Sequence, residues 1–175
     1  MRVAGPYPPP RETAIHTVIH AARPELDSVG HLHPHWATIF SIVDEPLEVV
    51  LLPAACLGGP LPTFDEPRLV TTPEIGQRLN AVLGDAPGVL MRWHGATVVG
   101  QTLEEMFTRS FALEENARLL WEARALGKTV PLDVATATLD TAGPGINERT
   151  FNYYANLERD ADQQRHVSRF SGEPA

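Results

Sequence analysis

Apolar stripes of helical period alternate along this chain with short continuous apolar runs, and proline or glycine closes most of them. The opening from Pro6 to Pro10 is too proline-rich to be helical. Residues 12–22 then place Ile15, Val18, Ile19 and Ala22 on one helical face, with Pro24 just beyond as a stop. A strand leads into His31, and residues 36–43 predict a short buried helix. The run 47–52 suits a buried strand, and Gly58-Gly59-Pro60 with Pro62 makes a loop. Thr72-Pro73-Glu74 supplies an N-cap, an N1 proline and an acidic first turn for a helix whose stripe is Ile75, Leu79, Val82 and Leu83. Strands over 89–93 and 97–99 flank His94-Gly95. Thr102 and Glu105 form a capping box before a long helix to Leu126, with Leu103, Met106, Phe107, Ser110 and Phe111 expected inward and Gly127 as its stop. After Pro131 and Gly143-Pro144-Gly145, residues 147–159 predict a helix carrying Phe151, Tyr154 and Leu157.

Helices and strands interleave, while several links are too short for parallel crossovers. The expected class is therefore α/β, with a mixed or mostly antiparallel central sheet flanked by helices. At 175 residues the chain predicts a single domain over 1–175, with a proline-rich start at 1–11 and a helical tail from about 145 to 175. An apolar share of 43% against 21% charged residues reads as soluble and globular. The net charge of −8 argues against nucleic acid or an anionic membrane surface as partner. Cys56 is the single cysteine, so no internal disulfide forms, which fits a reducing cytoplasm. No apolar stretch approaches the roughly 18 residues needed to span a bilayer, and the start lacks the apolar core of a signal peptide.

Candidate chemistry concentrates in histidines at strand ends. His31-Leu32-His33 closes one strand and Trp93-His94-Gly95 closes another. Alternate residues of a strand share a face, so His31 and His33 point the same way, and His94 from a neighbouring strand would complete a three-histidine set. Three protein ligands with a fourth position open is the arrangement of a catalytic metal. The competing reading is of hydrogen-bonded histidines at a strand end. His16 and His20 form an i, i+4 pair, itself a metal pattern, but His16 is read as packed under the site and His20 as a surface residue. His35 and His166 are read as spectators, with His35 close enough to touch a substrate. Glu12 suits the start of a helix, where the dipole favours an acid.

Together these residues resemble the class II aldolase/adducin superfamily. Its metal signature, H-x-H-P before a helix and then an apolar strand ending in H-G, is similar to Gly30-His31-Leu32-His33-Pro34-His35-Trp36-Ala37-Thr38 and to Val89-Leu90-Met91-Arg92-Trp93-His94-Gly95-Ala96. Gly100-Gln101-Thr102-Leu103-Glu104-Glu105-Met106 and Ala112-Leu113-Glu114-Glu115-Asn116-Ala117-Arg118 look like the helix that follows in that family. Pro9-Pro10-Arg11-Glu12-Thr13 resembles its P-S-S-E element, and Glu12 stands nineteen residues before His31, as the family's glutamate does. The resemblance runs from Pro9 to about Glu158. It departs at the front, where members carry some fifty to sixty further residues, including the loops that hold a sugar phosphate. The expectation is a domain lacking that N-terminal portion, and closest to the branch of small-acid decarboxylases and aldolases.

The resemblance implies His31, His33 and His94 as ligands of one divalent ion, zinc first, with manganese or iron(II) as alternatives, and no organic cofactor. Glu12 becomes the catalytic proton carrier. Tyr153 and Tyr154 are read as packing or subunit contacts, yet relatives use a C-terminal tyrosine as an acid across an interface, which keeps Tyr154 as a second catalytic candidate. A divalent ion there stabilises the enolate left when a bond beside a carbonyl breaks, so the implied activity is aldol cleavage or decarboxylation of a small keto, hydroxy or aromatic acid. A mononuclear iron oxygenase on the same scaffold is the alternative, and a non-catalytic adducin-head-like module the weaker one. The resemblance also implies a small-molecule substrate as partner and a homo-oligomer, a tetramer first.

Overall fold

A computed structural model describes residues 8–137 and 145–171, with side chains up to residue 161. Pro6, Gly143-Pro144 and the side chain of His166 therefore lie outside the described residues. Among the described residues, five α-helices and four strands follow in the order α1 (Thr13–Ala22), β1 (Ser28–Leu32), α2 (His35–Ile42), β2 (Thr63–Phe64), α3 (Pro73–Leu83), β3 (Gly88–Met91), β4 (Gly95–Gly100), α4 (Leu103–Leu126) and α5 (Ile146–Ser171). The sheet order is β1-β4-β3-β2. β4 pairs antiparallel with β1 and β3, and β2 runs parallel to β3, so the sheet is mixed as expected.

The sheet divides the core in two because its side chains alternate. Leu90, Ala96 and Val98 face one side, where they meet Phe40 of α2 and Leu113, Ala117 and Leu120 of α4. Val89, Met91 and Val99 face the other, against Ile15 and Ile19 of α1 and Leu79 and Leu83 of α3. With both faces covered, β3 and β4 read as continuous apolar runs rather than as polar alternations. On α3 the contact with α1 falls on Gly76 instead of Val82, which is exposed. A methyl group at Gly76 would come within 3.0 Å of the Ala14 carbonyl oxygen, so the missing side chain lets the two helices close up.

Residues 47–52 are not the strand that their apolar run predicts. Leu47 and Val49 are buried, but the segment stays irregular and leads into a 3-10 helix over Leu52–Leu57. Its backbone finds partners outside any ladder. Asn116 Oδ1 accepts from the N–H groups of Val50 (2.9 Å) and Leu51 (3.1 Å), and Asn116 Nδ2 donates to the Glu48 carbonyl (2.9 Å). The Val49 carbonyl accepts from Leu132 N–H at 2.7 Å. One fully buried amide thus takes the place of a neighbouring strand.

α4 also differs from expectation in the face it buries. Its inward residues are Ala112, Leu113, Asn116, Ala117 and Leu120, whereas Leu103 is exposed. Met106 and Ser110 continue that stripe towards the N-terminus and are partly buried. Phe107 and Phe111 lie on the flank, where they receive Phe151 and Tyr154 of α5 at ring separations of 5.4 and 4.7 Å. No helix among the described residues is long and apolar enough to cross a membrane. The α5 helix runs further than the 147–159 that its stripe predicts.

Replacing Asn116 with alanine strands two partly buried N–H donors and one partly buried carbonyl. Such groups cost roughly 1–3 kcal/mol each when left unpaired, with partial relief by water. Urea denaturation should therefore show a loss of about 3 kcal/mol. A change near zero would mean that residues 47–52 are held by something other than this amide.

Candidate functional site

His31 lies in β1 directly opposite Thr97 of β4, and its Nδ1 is 3.2 Å from the Ala96 carbonyl oxygen. His33 is the first residue past the strand and stands exposed before Pro34 and α2. α2 has no polar side chain at its start to receive its first N–H groups. The Glu114 carboxylate of α4 does so instead, at 2.9 Å from both Trp36 N and Ala37 N.

His94 arrives on the turn between β3 and β4, closed by its own N–H donating to the Met91 carbonyl at 3.0 Å. Gly95 then fits where no side chain could. A Cβ there would lie 2.2 Å from the Leu32 carbonyl oxygen and 3.1 Å from the His33 ring. This close approach draws the end of β1 over the turn. Arg92 fixes the turn from the other side, with its backbone N–H on the Phe64 carbonyl (3.0 Å) and its guanidinium on Asp65 and the Val43 carbonyl (both 3.1 Å).

These constraints bring together the three histidines that the sequence singles out. Their ring centroids are 4.8 Å (His31–His33) and 4.9 Å (the other two pairs) apart, and one nitrogen from each lies within 4.8 Å of the others. Among the described residues this is the only such group of potential metal donors. His20 instead places Nδ1 2.9 Å from the Leu26 carbonyl, and His35 packs edge-on against Trp36. Neither joins the cluster, and nor does His16.

Glu12 completes the arrangement. It precedes α1 without capping it, so the role of a simple helix-start acid does not describe its side chain. Oε1 accepts the backbone N–H of Val70 at 2.8 Å. Oε2 lies 3.3 Å from His31 Nε2 and 3.5 Å from His94 Nε2, with the carboxylate only 14% exposed. The sequence points to Glu12 but not to its anchor: Val70 is 58 residues away and contributes only a backbone N–H. Nor does any local pattern announce Arg92 and Asp65, which pair 27 residues apart.

Burial lowers the proton affinity of His31, opposed by the Glu12 charge and by the Ala96 carbonyl, with His94 and His33 adding to the lowering. A neutral ring with its proton on Nδ1, towards Ala96, leaves Nε2 as a lone pair. That nitrogen is buried and has no hydrogen-bond partner. It faces a carboxylate oxygen, an arrangement of two electron-rich atoms that a cation between or beside them would relieve. The donor set therefore fits a divalent ion. Three imidazoles suit zinc, manganese or iron(II), and a ring nitrogen held by a backbone carbonyl is the usual support behind a ligating histidine.

Tyr154 stands elsewhere in the chain's own fold. Its ring contacts are Phe107, Phe111 and Tyr153. Burial, with the charges of Tyr153 and Glu115 behind it, raises its phenol above the ordinary tyrosine range.

Comparison with known proteins adds a family to this geometry. Residues 2–121 match the model of the class II aldolase and adducin N-terminal domain. The chain is 29% identical over 150 residues to a 3,4-dihydroxyphthalate decarboxylase of Terrabacter sp. (strain DBF63), covering 81% of this chain and 62% of that protein. A 3,4-dihydroxyphthalate decarboxylase of Rhodococcus jostii (strain RHA1) is 27% identical over 129 residues, 71% of this chain and 53% of that protein. The chain thus spans less than two thirds of the length of these curated relatives. Among solved structures, an L-fuculose 1-phosphate aldolase superposes with a TM-score of 0.70 at 23% identity, over 78% of this chain and 64% of that one, and so shares the fold.

Gly95→Ala tests whether the close approach holds the cluster together. The added methyl meets a backbone oxygen that cannot step aside without parting β1 from β4. The expected loss of unfolding free energy is about 2 kcal/mol or more. An unchanged urea midpoint would show that the strand end moves freely.

Proposed function

Because the chain belongs to the class II aldolase and adducin N-terminal domain family, we propose that it acts as a divalent-metal-dependent carbon–carbon lyase. Its substrate would be a small keto, hydroxy or aromatic acid, cleaved by decarboxylation or by aldol scission. The observation that carries this reading is the buried His31 Nε2, which has no hydrogen-bond partner and is set among His33, His94 and a Glu12 oxygen. The dihydroxyphthalate decarboxylases among the relatives favour an aromatic acid.

In this reading His31, His33 and His94 hold the ion, zinc before manganese or iron(II). Bound there, it supplies Lewis acidity that withdraws electrons from a substrate oxygen beside the bond to be broken. Glu12 handles the proton. Its Oε1 is committed to Val70, so Oε2 is the atom that takes a proton from a hydroxyl in aldol cleavage or returns one to carbon after carbon dioxide has left. With a side chain only 14% exposed, Glu12 keeps competing water from much of its carboxylate. Tyr154 is retained as a further acid only for a neighbouring copy, since in its own chain it contacts α4 aromatics rather than the histidines. Exposed Trp121, Tyr153 and Leu157 support association into a homo-oligomer, a tetramer first.

Two measurements test the reading. Purified without added metal, the protein should carry about one divalent ion per chain, lost on His31→Ala, His33→Ala or His94→Ala, because three ligands tolerate no omission. Undiminished metal in all three variants would overturn the assignment. Glu12→Gln keeps side-chain size but cannot exchange a proton, so kcat should fall by about 10²–10⁴-fold while metal content and Tm stay in place. Unchanged turnover would remove Glu12 from the mechanism, and oxygen consumption during turnover would favour an iron oxygenase over a lyase.

A further inference from the structure

His33 is the least tied of the three clustered histidines. His31 sits in the β1–β4 ladder with Nδ1 on the Ala96 carbonyl, and His94 rides a turn closed by its own N–H. His33 stands past the last paired residue, and among the described residues no hydrogen bond or ion pair holds its ring. Its place must come from the backbone on either side. The close approach at Gly95 holds one side; the other leads into α2.

That second side has little freedom. Pro34, the residue before the helix, lies at φ −68° and ψ 136°. Its ring locks φ, and a residue that precedes proline is itself confined to extended conformations. A displacement of the first turn of α2 therefore passes to His33 with little taken up between. Pro34 also brings no side chain that can accept from the first helical N–H groups, as serine or aspartate does at many helix starts. Glu114 accepts them from α4 instead. Its Oε1 and Oε2 lie 2.9 and 3.0 Å from Trp36 N, and Oε2 lies 2.9 Å from Ala37 N. These belong to the second and third helical residues, the donors that a local cap would take. The carboxylate stands on a fixed base, since Leu113 and Ala117 on the same helix are fully buried in the core. Among the described residues no basic side chain pairs with it, so the helix start is the partner of its charge.

We propose that Glu114 is a positioning residue for metal binding: by pinning the first turn of α2 it sets, through Pro34, where the His33 ring stands relative to His31 and His94. The inference rests on the metal-site reading above and goes beyond it by assigning that site a determinant outside the cluster.

The test is zinc affinity, measured by chelator competition on protein stripped of metal and titrated with zinc alone. Glu114→Ala should bind zinc about tenfold more weakly, the lower end of what loss of a group behind a metal ligand costs. The visible absorption bands of cobalt(II) bound in place of zinc should shift in that variant, since they follow coordination geometry. Glu114→Gln keeps an acceptor for the helix N–H groups and should recover most of the affinity. Asn116→Ala is the control: on the same helix it lowers Tm by freeing residues 48–51, yet should leave zinc binding unchanged. Should Glu114→Ala fail to fold, Pro34→Gly carries the test, because it keeps the cap and loosens the link, and its zinc affinity should also fall. Wild-type zinc affinity and cobalt bands in Glu114→Ala, or in Pro34→Gly where it stands in, overturn the proposal and leave Glu114 a support of the fold only. Equal weakening by Asn116→Ala overturns it as well, since looser packing of α4 would then explain the loss. If the wild type binds no zinc, the metal-site reading itself fails and the inference falls with it.

Discussion

The candidate site depends on one place where two backbones come too close for a side chain. At Gly95 the turn after β3 meets the end of β1, and the Leu32 carbonyl and His33 ring occupy the space that a Cβ would need. Antiparallel pairing of β1 with β4 sets His31 opposite Thr97, but pairing alone leaves His33 beyond the ladder. The close approach at Gly95 is what folds that last residue back towards His94. The three rings converge because a strand end, a turn and a glycine share one small volume.

Around this point, α4 provides much of the polar support for neighbouring backbones. Glu114 caps α2, Asn116 satisfies residues 48–51, and Arg109 donates to the Val99 carbonyl at 2.7 Å. Each partner is a main-chain group that regular secondary structure has left open. A single helix so placed can hold an irregular segment and a short helix against the sheet without adding strands. It also couples them: the face of α4 that fills the core with Leu113, Ala117 and Leu120 holds Asn116 within it and carries Glu114 and Arg109 on its margins.

Much of this was legible in the sequence, for reasons that differ by element. The helices α1, α3 and α4 announce themselves by stripe, cap and stop, and the structure confirms Thr72 and Thr102 accepting from Ile75 N and Glu105 N. The histidines and Glu12 stand out by type and spacing. The run at 47–52 misleads because apolar periodicity reports burial and not hydrogen-bond partners, and an asparagine 65 or 66 residues downstream supplies those. Val82 and Leu103 mislead because a hydrophobic stripe is wider than the contact it makes. Nothing local marks Val70 or Asp65, whose importance exists only once distant segments meet.

The unequal partners of the Glu12 carboxylate have one more consequence. In a free carboxylate the two oxygens are interchangeable, and rotation about the last side-chain bond lets either present a proton. Here one oxygen is tied to the Val70 N–H and the other faces the histidines. Rotation would exchange them only by breaking the tie, so the group has lost its twofold equivalence. Whatever proton it acquires must enter and leave through the same atom, on the same side. An acid of this kind has a direction, fixed by a backbone amide 58 residues away in the chain.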